Sequence, residues 1–208
     1  MAIERTETFV HWNFFLALEE DLDRLARFVD LSGNESTYSI EIGRLLLSAC
    51  AETDVVLKQL VKRLDPSKNP HKLDGYFDAI ARELPNFRKF EATLPRYGVK
   101  LKPWQDWRRD RAPAWWSAHN KVKHKRHEHF AMANLKYCLN SMAGLYAATL
   151  HLYAAEAEQA LIPGQPRVFS CGAPHSAGSV LDGQGVFLRY QGLVANNSFK
   201  PKPLRGSA

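Results

Sequence analysis

Apolar residues recur every three or four positions along three long stretches of the chain, and a stripe with that period can be buried on one face only if the backbone is helical. The first stretch runs through Phe9, Trp12, Phe15, Leu16, Leu22, Leu25 and Val29 before the polar segment LSGNESTYS interrupts it. The second runs through Ile42, Leu46, Ala49, Thr53, Leu57, Leu60 and Leu64, with Leu45 and Val56 adding a second apolar flank. A helix that is apolar on more than one side is covered by several neighbours, so this one is predicted at the centre of a bundle. It ends at DPSKNP, where Pro66 and Pro70 act as breakers. The third stretch is predicted as one long helix from about Trp115 to about Glu158, with a stripe of Leu135, Leu139, Met142, Tyr146 and Tyr153. Carried backward, that stripe meets Glu128 and His124.

A shorter helix is expected between Leu73 and Leu84, its apolar side formed by Leu73, Phe77, Ile80 and Leu84. Pro85, Pro95, Gly98 and Pro103 then divide the chain, so 85–113 reads as loops and short turns, and Pro113 marks a helix start. After LIPGQP the composition changes, because seven of the twelve glycines lie in the last quarter. RVFSC and GVFLRYQ are short β-prone runs, and LDGQG before the second is a turn signal, which predicts a small hairpin. NNSFKPKPLRGSA reads as a flexible tail. The expectation is an all-α bundle over residues 1–160, followed by a Gly-rich, β-bearing segment over 161–208.

Cys50, Cys138 and Cys171 lie far apart and form no CxxC pair, which argues against a zinc site or a disulfide framework and for a reducing cytoplasm. No apolar run reaches the roughly 18–20 residues of a membrane helix, and the N-terminal segment lacks the basic start and cleavage site of a signal peptide. A cytoplasmic protein without membrane contact is expected, and no metal or cofactor.

The charge is localised. Residues 100–129 hold nine basic side chains (Lys100, Lys102, Arg108, Arg109, Arg111, Lys121, Lys123, Lys125, Arg126) against Asp106, Asp110 and Glu128. That window therefore accounts for the entire net charge of +6, and it points to one anionic partner. Four of the eight histidines sit there too.

Within the window, Asn120, His124 and Glu128 are spaced i, i+4 and i+8, so they share a helix face that is expected to look into the bundle. Arg126 and Lys123 are expected to point away from it. Three readings stay open. His124 and Glu128 can simply satisfy one another where the bundle opens. His124, His127, Glu128 and His129 have part of a metal-ligand spacing, but His129 points away and neither an HExxH motif nor a cysteine partner exists. His124 can also serve as a general acid or base beside a ribose hydroxyl, with Asn120 holding a phosphate oxygen and nearby cations offsetting transition-state charge.

A helical chain with EIGRLLLSACAETDVVLKQL on an early helix and WWSAHNKVKHKR at the start of a late one resembles the HEPN superfamily of prokaryotic helical bundles, over about residues 35–155. That resemblance implies a motif of arginine, a polar residue, a short gap and histidine, in proteins that are often metal-independent endoribonucleases of toxin–antitoxin and phage-defence systems. It also implies a homodimer with the motifs meeting near the interface. In HNKVKH, Asn120 takes the polar position and His124 the histidine, while His119 stands in place of the arginine. An acidic residue on the early helix is implied to support the motif. Glu52 or Asp54 matches it; Glu52, on the flank of Leu45 and Val56, is expected either to be buried and paired with Lys121 or His119 or to be an exposed helix charge.

Trp104, Trp107, Trp115 and Trp116, interleaved with Arg108, Arg109 and Arg111, either wedge a loop onto the bundle or stack unpaired bases. Trp107 is the one expected to be exposed. The leading expectation is an RNA-binding protein, with or without cleavage, that uses Arg108, Arg109, Arg111, Lys121, Lys123, Arg126 and Trp107. An antitoxin or another defence protein is the implied partner. The alternative is a non-catalytic dimer acting as an interaction or regulatory module. A nucleotide-binding protein shares the same basic window.

Overall fold

A computed structural model describes residues 8–68, 72–172, 176–182 and 185–191. The described chain is mostly helical: α1 (Val10–Leu25), α2 (Ile40–Leu64), α3 (Leu73–Glu83), α4 (Ala114–His129), α5 (Leu135–Leu152) and α6 (Ala154–Glu158). Six short strands accompany them: β1 (Ala92–Leu94), β2 (Val99–Leu101), β3 (Ile162–Pro163), β4 (Ser170–Cys171), β5 (Ser176–Asp182) and β6 (Gly185–Gln191). No helix among the described residues is long and apolar enough to cross a membrane.

As its two apolar flanks require, α2 packs against α1, α3, α4 and α5. Its start is fixed by Ser39, whose Oγ accepts the Ile42 N–H at 3.1 Å. The helix most enclosed is α5, with fifteen of its eighteen residues buried. Cys50 and Cys138 are buried free thiols, and burial raises the titration of both, that of Cys138 to about 12.

The single long helix expected from Trp115 to Glu158 is three helices. Lys125 leaves helical geometry (φ −142°, ψ 57°), and a 3₁₀ turn over Phe130–Met132 follows. Asn134 then caps a new helix, its Oδ1 accepting the Tyr137 N–H at 3.1 Å. The first N–H groups of any helix have no partner within it. Here those of Leu135 and Lys136 donate to the carbonyls of Thr37 (2.8 Å) and Glu35 (3.0 Å), so the LSGNESTYS loop closes the start of α5. A second break, at Tyr153, separates α6.

The loop region 85–113 also differs from expectation, because β1 and β2 form a small hairpin there with Ala92 opposite Leu101 and Leu94 opposite Val99. Gly98 turns it at a φ of 64°, which glycine adopts without strain. GVFLRYQ does lie in a hairpin, but its partner is β5, with Asp182 opposite Gly185. Ser170 and Cys171 of RVFSC pair instead with β1. Both three-stranded sheets, β2-β1-β4 and β3-β6-β5, are antiparallel. The expected tail lies outside the described residues.

The chain after α6 is tied to the bundle by buried polar contacts. Glu19 on α1, 2% exposed, accepts three backbone N–H groups: Arg167 (2.8 Å), Val168 (2.9 Å) and Phe169 (2.8 Å). Trp12 Nε1 donates to the Pro163 carbonyl at 2.9 Å, and the hydroxyls of Tyr146 and Tyr190 meet at 2.9 Å. Burial outweighs the three donors and raises the Glu19 carboxyl above its ordinary range. Glu19→Ala leaves three donors without their acceptor and is expected to destabilise the protein by about 3 kcal/mol or more. Glu20→Ala, which removes only an exposed pair with Arg24, should cost under about 1 kcal/mol. Urea denaturation of both variants measures the difference.

Candidate nucleic-acid interface

The rotation of α4 is set by what its first turn buries. Trp115, Trp116, Ala118, His119 and Val122 face the bundle, which leaves Asn120, Lys121, Lys123 and His124 exposed. Asn120, His124 and Glu128 were expected to look inward, and this is overturned: all three are exposed. That expectation extended the stripe of α5 backward through a helix that is interrupted at Lys125, so the two helices have independent rotations.

The four tryptophans form a packed row. Ring centroids lie 4.9 Å apart for Trp104 and Trp107, 5.0 Å for Trp104 and Trp115, and 5.5 Å for Trp115 and Trp116. Trp104 Nε1 donates to the Gly144 carbonyl (3.2 Å) and Trp115 Nε1 to that of Pro103 (2.8 Å). A Cβ at Gly144 would sit 2.8 Å from the Trp115 ring, so α5 needs a glycine where the indole crosses it. Trp107 is 1% exposed, which corrects the expectation that it is free to stack on a base. Arg108 and Arg111 pair their backbones in the turn that follows, the Arg108 guanidinium donates to the carbonyls of Gln105 (2.8 Å) and Trp107 (2.9 Å), and Phe77 meets the Trp107 ring edge-on from α3.

His119 is 7% exposed against the Trp116 ring, and its Nδ1 has no hydrogen-bond partner. Its pKa is lowered, first by burial and then by repulsion from Lys123 and His124; a hydrogen bond with Asn120 and attraction to Asp54 oppose this. The residue in the motif's arginine position is therefore an uncharged, enclosed imidazole at neutral pH. Glu52 is paired, but with His11, whose Nδ1 lies 2.5 Å from its Oε1. The expected partners Lys121 and His119 are not used. Asp54, one turn-fraction further along α2, is the carboxylate nearer to His119, and it also accepts from the Tyr76 hydroxyl at 3.0 Å and pairs with Lys58. The link between His11 and Glu52 spans 41 residues, and nothing local in the sequence announces it.

Several basic residues of the window have a carboxylate beside them. Arg109 meets Asp78 at 3.2 Å, Lys100 and Lys102 flank Glu91 at 3.9 and 3.6 Å, and Lys125 meets Glu128 at 3.3 Å. Arg108, Arg111, Lys121, Lys123 and Arg126 are exposed and have no acidic partner among the described residues. His127 and His129 both lean on Glu128, and no group of metal-ligating side chains is assembled among the described residues. No protein-family model, curated protein or solved structure matches the chain.

A histidine whose folded pKa lies below its ordinary 6.5 contributes stability that is complete above pH 6.5 and lost as the pH falls through the folded value. The His119 contribution should thus be lost as the pH falls below 6.5, so His119→Gln should lose less stability on acidification than the wild type. Urea titrations of both proteins from about pH 7.5 to about 5 check the difference, and NMR titration of the His119 ring should place its midpoint below 6.5.

Proposed function

We propose that this HEPN-like helical protein binds single-stranded RNA on the outer face of α4 and the adjoining Arg108–Arg111 turn. The observation that carries the reading is the set of five exposed cations without acidic partners among the described residues, all within the window that holds the chain's excess charge. Charges of this kind meet phosphates and release counterions, which gives affinity without sequence preference. With the tryptophans buried, the contacts on this face are electrostatic. From the resemblance, we further infer a homodimer working in a bacterial defence or toxin–antitoxin setting, with an antitoxin or another defence protein as partner.

Cleavage is the second reading, favoured by Asn120 and His124 standing exposed one turn apart on that same face. In it, His124 takes the proton from a ribose 2′-hydroxyl as O2′ attacks phosphorus and the 5′-oxygen leaves, while Asn120 holds a phosphate oxygen. It ranks below binding because His119 supplies no permanent charge and Glu52 is engaged by His11. The non-catalytic interaction module is the alternative if RNA does not bind.

Filter binding of a short single-stranded RNA at two salt concentrations tests the proposal. Affinity should fall with a log–log slope of about −0.7 per phosphate contact. The pairs Lys121→Glu with Lys123→Glu, and Arg108→Glu with Arg111→Glu, should weaken all sequences alike. If cleavage occurs, it should persist in EDTA, leave a 2′,3′-cyclic phosphate and drop at least about 100-fold in His124→Ala. Absence of wild-type binding at low salt overturns the proposal and leaves the basic face as a protein-docking surface.

A further inference from the structure

Between the first turns of α2 and the end of α4 lies an open groove of about 1000 Å³, whose apolar lining includes Leu47, Phe130 and the 77% exposed Ile40 and whose polar lining includes Arg44, Arg126 and His127. Tyr38, 51% exposed, adjoins it through Phe130, against which it packs edge-on at 5.5 Å. The groove exists because α4 breaks. Arg126 follows the buried Val122 by four positions and His119 by seven, so an unbroken helix would turn it into the core. The departure of Lys125 from helical geometry frees it, and Arg126 lies exposed along the groove instead. Gly43 permits the close approach that roofs this end, since a Cβ there would lie 3.3 Å from that of Ala133.

The two edges differ in charge. Arg44 on the α2 edge is neutralised by Asp21 (2.8 Å) and Glu41 (2.9 Å). Arg126 on the α4 edge has no acidic partner among the described residues, although Glu128 lies two positions away and holds Lys125 and His127. The net positive charge is thus on one side only, beside an apolar lining and the exposed Tyr38 ring, which stands edge-on to the half-buried Phe130. An occupant that fits carries an anion at one end and a planar, weakly polar body at the other. Lys121 and Lys123 are further exposed cations on the same helix, so the groove lies at one end of a cationic helix.

We propose that this groove takes one nucleotide unit of a single-stranded RNA, its base against Phe130 and Tyr38 and its phosphate on Arg126. The inference rests on the RNA-binding reading above and adds what that reading lacks: the surface on which a base stacks, now that the tryptophans are enclosed. Ser48 and His127 supply the polar groups within reach of the base edge or ribose.

The test uses the full chain and a short single-stranded RNA carrying one 2-aminopurine, whose fluorescence is quenched on stacking. Binding should quench it. Tyr38→Ala should remove the quench and weaken binding about five- to a hundred-fold, the scale of one stacked base, while leaving the salt slope unchanged. Arg126→Ala should instead lower the slope by about 0.7. Both side chains are exposed, so both variants should fold, and circular dichroism confirms that they do. If the wild type binds RNA and both variants match it in affinity, quench and slope, the subsite is overturned while the RNA reading stands. If the wild type binds no RNA, both fall. Adenosine monophosphate binding as tightly as the oligomer would replace the RNA assignment with a free-nucleotide site. Conversion of a dimer to a monomer by Ile40→Asp, with RNA affinity intact, would show the groove to be a contact between copies of the chain and overturn the subsite.

Discussion

A nearly enclosed helix governs this molecule. Fifteen of the eighteen residues of α5 are buried and only Lys136 is exposed, so almost every side of it must be covered and the buried polar groups at its ends must find protein partners. Covering it takes α1, α2 and α4 together with the hairpin of β1 and β2. The small residues Ala143, Gly144, Ala147 and Ala148 let large neighbours come close, as the Trp115 ring does at Gly144. Its N-terminal N–H groups are taken by Asn134 and by the carbonyls of Glu35 and Thr37. Meeting those donors requires a fresh helix start at Leu135, and the fresh start is what detaches α4. The charged helix can then rotate to bury its tryptophans and present its lysines, independently of the core.

The elements that carry a clean apolar period were legible. The ends of α1, α2 and α3 fall within a few residues of where periodicity and prolines place them, the central position of α2 follows from its second flank, and Pro113 marks the start of α4. The break between α4 and α5 was not read, because Lys123 to His129 is a run of charged and imidazole side chains without an apolar register. Asn134 just before Leu135 was the available signal, a capping residue ahead of a new apolar run. Strands of three residues, such as β1 and β2, are too short for alternation to register. The candidate site was legible as a charge window, since charge counting needs no geometry. Which side chains look outward was legible only in part: Lys123 and Arg126 are exposed as expected, but so are Asn120, His124 and Glu128, because the rotation of α4 depends on tertiary packing of Trp115 and Trp116. The pairings of Glu52 with His11 and of Arg109 with Asp78 likewise join distant parts of the chain.

One helix thus separates two electrostatic regimes. Its inner side meets aromatic rings, and there the titratable group, His119, is held neutral by burial. A guanidinium at that position would have to be desolvated or find a partner, and the neighbouring carboxylate Asp54 is already shared between Tyr76 and Lys58. Its outer side keeps Lys121 and Lys123 in water, where their charge costs little and acts at a distance. In the preceding turn Arg109 reaches back to Asp78 of α3 and Arg108 donates to the carbonyls of Gln105 and Trp107, whereas Arg111 is exposed.

The contact from Glu19 to Arg167, Val168 and Phe169 spans 148 to 150 residues, and this places it late in the life of a nascent chain. A polypeptide leaves the ribosome at roughly 5–20 residues per second, N-terminus first. While α1 through α5 are already outside, the three donors that Glu19 needs are still inside the ribosome. During that interval, on the order of 1–3 s at the same rate, the carboxylate can stay solvated only if this part of α1 stays off the bundle. The last quarter of the chain therefore sets the moment at which the first helix can dock, and a product truncated before Arg167 would hold a bundle with an open side.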